Sequence, residues 1–245
     1  MELRCEHLLE QATSMAARRF EILAYEETSL GPLCLRRREL LSEPGTLVTE
    51  VTLNHEFLMS SLHTDSEQAL ARTARELHGG ENLSVLVGGL GLGYTAQAAL
   101  SSPVVKTVDV IEFLPQVIDW LREGLLPLSS ELNADERLMV TSGDIYAMLS
   151  QEPSRRFDLI LIDVDHSPDD TLDEGDGDFY TESGLQLARE HLQPGGLLGV
   201  WSYAESSPFE AALRRVFRDV SVQPVTYRNR HVGGDYTDWL FFARG

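Results

Sequence analysis

Val85-Leu86-Val87-Gly88-Gly89-Leu90-Gly91-Leu92-Gly93 is the stretch that decides how this chain is read. An apolar strand runs directly into a glycine-rich turn, and a helix follows Gly93. Glycines at 89, 91 and 93 let the backbone turn tightly, and they let a ligand approach the helix N-terminus with no Cβ in the way. Glycines also occur in turns for purely structural reasons. The position after the first apolar strand of a βαβ series is what gives this turn a binding role.

Working outward, strands and helices alternate on both sides of the turn. Upstream, Thr64-Asp65-Ser66-Glu67 reads as a capping box opening a helix through about Leu77, and Gly79-Gly80 ends it. Downstream come strands at 107–111, 138–141, 159–162 and 197–201, with helices after Leu114, from Asp144, over 179–191 and over 208–217. Residues 220–227 and 239–243 close the chain as an antiparallel pair. Alternating β and α with near-continuous apolar strands implies a Rossmann-like, mainly parallel seven-stranded sheet covered by helices on both faces.

Before residue 64 the texture differs. Residues 2–20 read as a short helix, with Leu8, Leu9, Ala12 and Met15 near helical spacing. Strand-like runs at 20–25, 32–37 and 46–53 follow, separated by Ser29-Leu30-Gly31-Pro32 and Ser42-Glu43-Pro44-Gly45. The expected organisation is an N-terminal helix and small antiparallel β unit over 1–63, then an α/β nucleoside-binding domain over 64–245.

The chain has 245 residues, 42% hydrophobic and 24% charged, an ordinary globular balance. No apolar run reaches the roughly 18 residues of a membrane span, and the first residues lack an apolar signal core. A cytoplasmic protein with no membrane contact is expected. Cys5 and Cys34 suggest neither a disulfide framework nor a metal site. The formal net charge of −19 argues against a nucleic-acid groove. It suits a small cationic or amine-bearing substrate, since a negative field concentrates cations near a cleft, although acidity also serves solubility alone.

Glu112 ends the strand after the turn, where an acid can accept hydrogen bonds from both hydroxyls of a ribose. Gly143-Asp144 ends the next; Asp144 can face an adenine amino group, cap the following helix, or do both. The fourth strand delivers Asp163-Val164-Asp165-His166-Ser167-Pro168. Asp163, Asp165 and His166 are candidates to orient an amine and remove its proton. Residues 169–178 carry six acids, which read either as a lid over a cationic substrate or as a solvated loop. A calcium loop is a poor fit, because the acids lack the spacing and terminal glutamate of an EF-hand.

The order of these motifs resembles the spermidine synthase (polyamine aminopropyltransferase) family over roughly residues 20–227. The resemblance includes Val105-Lys106-Thr107-Val108-Asp109-Val110-Ile111-Glu112, Phe157-Asp158-Leu159-Ile160-Leu161-Ile162-Asp163, Asp178-Phe179-Tyr180 and Leu192-Gln193-Pro194-Gly195-Gly196. It implies S-adenosylmethionine or its decarboxylated form as cofactor. Gly88, Gly89, Gly91, Gly93 and Glu112 would hold the ribose and the methionine-derived arm. Asp144 would face adenine, with Phe113 and Ile145 beside these acids, and Asp163 would stand by the reacting atoms. A homodimer is the expected assembly.

Three departures from the family pattern shape the expected activity. The glycine turn carries Leu90 and Leu92 where family members have an acid. Residues 56–63 read Glu-Phe-Leu-Met-Ser-Ser-Leu-His where they have a Tyr-His pair. Pro168 follows Ser167 rather than an Asp, and the acid has moved to Asp165. The amine anchors therefore look incomplete, and the first expectation is a methyltransferase using S-adenosylmethionine on a small amine. Aminopropyl transfer from the decarboxylated cofactor is the alternative. A decayed, non-catalytic nucleoside-binding protein and an NAD-dependent dehydrogenase are weaker readings.

Overall fold

The computed structural model describes residues 20–164, 168, 179–229 and 233–245. The chain divides into two compact units, Met1–Leu62 and His63–Gly245. The helix expected over 2–20 lies outside the described residues, apart from Phe20, which already begins a strand.

In the first unit, β1 (Phe20–Thr28), β2 (Gly31–Glu39), β3 (Leu47–Leu53) and β4 (Glu56–Ser60) form an antiparallel meander in chain order. Leu33 and Leu35 of β2 and Val51 of β3 are buried on one face, and Val48, on the other face of β3, packs with Leu40 and Leu62. The buried Glu50 carboxylate on β3 bridges two arginines of β2. Arg36 Nε and Arg38 Nε donate to it at 3.0 and 2.8 Å. Burial pushes this carboxyl upward, but Arg38 and Arg36 together outweigh that and hold it below its ordinary value. The fourth strand was not expected. Leu53 and Glu56 pair across a two-residue turn whose Asn54 and His55 both have positive φ, 50° and 68°. That is the hairpin geometry usually signalled by Asn-Gly, and histidine in the second place hides it.

The second unit is a seven-stranded sheet in the order β10-β11-β9-β8-β5-β6-β7. Its strands are β5 (Leu83–Gly88), β6 (Val105–Glu112), β7 (Leu138–Ser142), β8 (Phe157–Ile162), β9 (Leu192–Ser202), β10 (Asp219–Arg228) and β11 (Asp235–Arg244). β7, β6, β5, β8 and β9 are parallel, and β11 runs antiparallel to both β9 and β10. Val85, Leu86 and Val87, like Ile160, Leu161 and Ile162, are fully buried, as strands covered on both faces must be. β9 begins at Leu192 rather than 197, so the Pro194-Gly195-Gly196 stretch lies inside the strand.

The helices are α1 (Asp65–His78), α2 (Tyr94–Leu100), α3 (Pro115–Glu123), α4 (Ser129–Leu132), α5 (Ile145–Leu149), α6 (Glu182–Glu190) and α7 (Ser207–Val216). α1 starts and stops where the sequence says, with Gly79 closing it at φ 70°. The capping box does not form, however. Thr64 makes no side-chain cap bond, and its hydroxyl instead accepts from Gln68 Nε2 at 2.8 Å. Glu67 is thereby left available for another role. No described helix is long and apolar enough to cross a membrane.

Candidate active site

The glycine turn is held by its neighbours at the carboxyl ends of the central strands. Gly89 has φ 95°, and a Cβ there would be driven into the carbonyl oxygen of Asp163. A Cβ on Gly88 would meet Ile145 Cγ1 at 2.7 Å, and one on Gly93 would meet Leu132 Cδ1 at 2.5 Å. The Asp163 amide donates to Gly88 O at 2.8 Å, which locks the end of β8 against the end of β5. These glycines are required by close packing as well as by any ligand.

Glu112 is buried at the end of β6. Its Oε2 accepts the Leu90 amide at 2.7 Å and the Gly91 amide at 3.4 Å, and its Oε1 accepts the Leu114 amide at 2.8 Å. Burial raises its pKa above the ordinary value, and these amides oppose the rise only in part. The Gly89 amide bonds to Ile111 O at 2.9 Å and the Gly93 amide to Leu90 O at 2.8 Å. Four of the turn's amides are therefore engaged within the protein. Leu90 and Leu92 are buried, so neither presents its side chain to a ligand.

Phe113 is exposed beside Glu112, and Ile145 is buried. Asp144 Oδ1 accepts the Tyr146 and Ala147 amides at 2.8 and 3.1 Å, so it caps α5. Phe179 and Tyr180 are buried, and the Tyr180 hydroxyl lies 2.8 Å from that of Tyr146. Asp165, His166 and the acidic run 169–178 lie outside the described residues.

Asp163 leads to residues the sequence reading did not single out. Its carboxylate accepts the hydroxyl of Thr95, a buried residue at the start of α2 whose oxygen also lies 3.2 Å from Glu67 O. Asp163 as a residue is only half-buried, yet desolvation of its carboxyl raises its pKa to about 6; Thr95 opposes this and the charge of Asp238 adds to it. Glu67, in the first turn of α1, is pushed up to about 8 by burial, then by the charges of Asp163 and Asp238. Asp238, near the start of β11, is raised by burial against hydrogen bonds from Ser66, Trp201 and Tyr227.

Around these acids, Ser66 Oγ lies 2.6 Å from Asp238 Oδ2, and Trp201 Nε1 donates to Ser66 Oγ at 3.0 Å. Tyr227 stacks between His63 and Tyr236, with ring centroids 5.0 and 6.5 Å away. Burial and the neighbouring acids raise its hydroxyl to about 12. Among the described residues, no arginine or lysine pairs with Glu67, Asp163 or Asp238. Three carboxylates thus converge beside the glycine turn, with no arginine or lysine paired to them among the described residues.

Glu67 had a weak sequence signal, an acid in a first helical turn, which reads as a cap. Asp238, Ser66, Thr95 and Trp201 had none, because each belongs to a different element and only the sheet order brings them together.

No family model matches the chain. Over 124 residues it is 33% identical to polyamine aminopropyltransferase 2 of Streptomyces coelicolor, a stretch that makes up 50% of this chain and 22% of that protein. The chain therefore matches only about a fifth of that relative's length. In fold it is similar to spermidine synthase in complex with the transition-state analogue AdoDATO, with a TM-score of 0.69, and to spermidine synthase from Thermotoga maritima, at 0.71. Each is 18% identical and aligned over 91% of this chain and 72% of the other. By strand order and these likenesses, the chain has a spermidine synthase-like fold.

Proposed function

We propose that this chain transfers an aminopropyl group from decarboxylated S-adenosylmethionine to a small cationic amine. The observation that carries this reading is the convergence of Glu67, Asp163 and Asp238 beside the glycine turn, with no arginine or lysine paired to them among the described residues. Buried carboxylates are costly unless paired, and a protonated amine is the partner that such a set accommodates. The sequence had suggested missing amine anchors. α1 and β11 add acids from places the family pattern does not mark, beside Asp163 at the end of β8, which it does.

The nucleoside half fits the residues present. Glu112 ends β6 beside the turn, where a ribose hydroxyl would share its carboxylate with the Leu114, Leu90, Gly91 and Phe113 amides. The exposed ring of Phe113 flanks the same edge. When bound, the cofactor supplies an aminopropyl carbon activated by its sulfonium.

The engaged turn amides favour the decarboxylated form over the methyl donor. Methyl transfer would need those amides to receive the carboxylate of S-adenosylmethionine. Leu90 and Gly91 give theirs to Glu112, and Gly89 and Gly93 give theirs to backbone carbonyls. A cofactor ending in an ammonium needs acids instead, and Asp163 is the one that adjoins the turn.

In this mechanism Asp238 and Glu67 hold the acceptor's charge, and the ring of Tyr227 walls that side. Asp163 takes the proton that the attacking nitrogen must shed. A carboxyl near pKa 6 is ionised at neutral pH and more basic than an ordinary aspartate. Positioning the two reactants supplies most of the remaining acceleration.

The test is an assay of 1,4-diaminobutane and longer polyamines with each cofactor form separately. Aminopropylated product from the decarboxylated cofactor alone is expected. Methylated amine from S-adenosylmethionine alone would replace this reading with the methyltransferase one.

A further inference from the structure

Ser66 occupies a position whose bond count constrains the acids around it. Three groups approach its hydroxyl oxygen: Trp201 Nε1 at 3.0 Å, Asp238 Oδ2 at 2.6 Å and Glu67 Oε2 at 3.3 Å. A serine hydroxyl has one proton to donate and two lone pairs to accept with. The indole N–H can only donate, so it takes one lone pair. The serine proton goes to one acid, and the shorter contact assigns it to Asp238. The contact to Glu67 then has no proton unless Glu67 carries one and donates it to the remaining lone pair.

The reverse arrangement, with the proton on Asp238, is less favourable. Asp238 also receives the hydroxyl of Tyr227 and interacts with the Trp201 indole, donors that favour its charged form. Apart from Ser66, Glu67 has only its own backbone amide as a donor among the described residues, a smaller set. The groups facing it are Asp163 at the end of β8, Asp238 on β11 and Ser66 on its own helix, with Thr95 of α2 bonded to its carbonyl oxygen. Among the described residues, Tyr227 on β10 adds a further neighbour, and these groups are neutral or acidic. His63 stacks on Tyr227 with ring centroids 5.0 Å apart.

We infer that the free protein stores one proton on Glu67, positioned by Ser66, and gives it up when a cationic amine enters the cluster. The proton store follows from the geometry of Ser66; its exchange for an amine rests on the reading of the site as an amine site. At neutral pH the empty cluster keeps two carboxylates charged and one neutral. An entering ammonium makes the third charge favourable, and the Glu67 proton leaves to solvent. Acceptor affinity therefore rises with pH through the range in which Glu67 titrates.

The store is tested on the free protein by following its carboxyl carbons by NMR through a pH titration. One carboxyl is expected to titrate above neutral pH and to vanish from the spectrum of Glu67→Gln. It should move toward the ordinary range in Asp238→Asn, which removes a like charge, and in Ser66→Ala, which removes the acceptor oxygen. Full ionisation of all three acids at pH 7, or a high midpoint that survives Glu67→Gln, would overturn the inference.

The exchange is tested by calorimetry with 1,4-diaminobutane at pH 7 in two buffers of different ionisation enthalpy. Release of about one proton per amine bound is expected for the unaltered protein and close to none for Glu67→Gln. Binding with the same proton count in both would overturn the exchange. The expected high carboxyl midpoint with no diamine binding would leave the proton store standing and remove the amine reading instead.

Discussion

Gly89 and Asp163 are in direct steric register: the carbonyl oxygen of Asp163 occupies the space that a side chain at position 89 would need. The glycine turn and the strand end that carries the candidate base are therefore one packed unit. Gly89 also sits at φ 95°, where an L-residue is strained by about 1–3 kcal/mol. Gly89→Ala is expected to lose nucleoside binding and at least 100-fold in turnover, about 2.7 kcal/mol, with a lowered melting temperature. Titration with methylthioadenosine and a thermal melt would check both, and normal binding by a stable variant would contradict the packing argument.

Glu112 gives separable effects in two substitutions. Glu112→Ala removes the acceptor for the buried Leu90 and Leu114 amides, each costing about 1–3 kcal/mol when left unpaired. It should therefore destabilise the second unit as well as weaken nucleoside binding. Glu112→Gln keeps the shape and one acceptor oxygen, so it should retain more stability while still losing affinity. Denaturant melts beside nucleoside titrations distinguish the two. Equal stability of Glu112→Ala and the unaltered chain would mean that these amides find other acceptors.

Asp163→Asn retains the size of the side chain and removes its ability to take up a proton. Turnover is expected to fall by roughly 10²–10⁴, the usual range for a general base, while nucleoside affinity changes only a few-fold. Steady-state kinetics with separate nucleoside binding would test this. A parallel loss of both would place Asp163 in cofactor binding alone.

Stability should depend on pH in a direction opposite to that set by paired acids. Glu67 moves from 4.5 to about 8 on folding and Asp163 from 3.8 to about 6. Between those values the folded chain binds more protons than the unfolded one, so stability falls as pH rises. Glu50, held below 4.5 by its arginines, acts the other way and loses its contribution as pH falls below that value. Melting temperature is expected to decline from pH 5 to pH 8.5, with a shallower decline in Glu67→Gln. A flat profile in that range would show that the acids are relieved by some other partner. Added 1,4-diaminobutane should recover part of the loss at pH 8.5, since a ligand bound only by the folded state stabilises it.

Much of the architecture was legible in the sequence because it rests on local rules. Alternating apolar strands and helices, the Gly88–Gly93 turn and the αL stop at Gly79 each follow from residues adjacent in the chain. β4 was missed because Asn54-His55 adopts a turn geometry normally announced by glycine. The Glu112 position was also legible, since the end of a second parallel strand faces the turn in any βαβ unit. Its bonds to the Leu90, Gly91 and Leu114 amides were not, because they depend on how closely the turn folds back.

What the sequence determined by itself was the order of elements, the glycine turn and the acids that end its strands. These are set by hydrophobic periodicity and by backbone conformations that only certain residues tolerate. What only the tertiary structure decided was the chemistry of the acid cluster. Ser66 and Asp238 are 172 positions apart, yet their oxygens lie 2.6 Å from each other. The antiparallel insertion of β11 between β9 and β10 brings the start of β11 to the carboxyl ends of the parallel strands, where α1 also begins. Charge and burial at such a point depend on that three-dimensional convergence, and spacing along the chain carries no record of it.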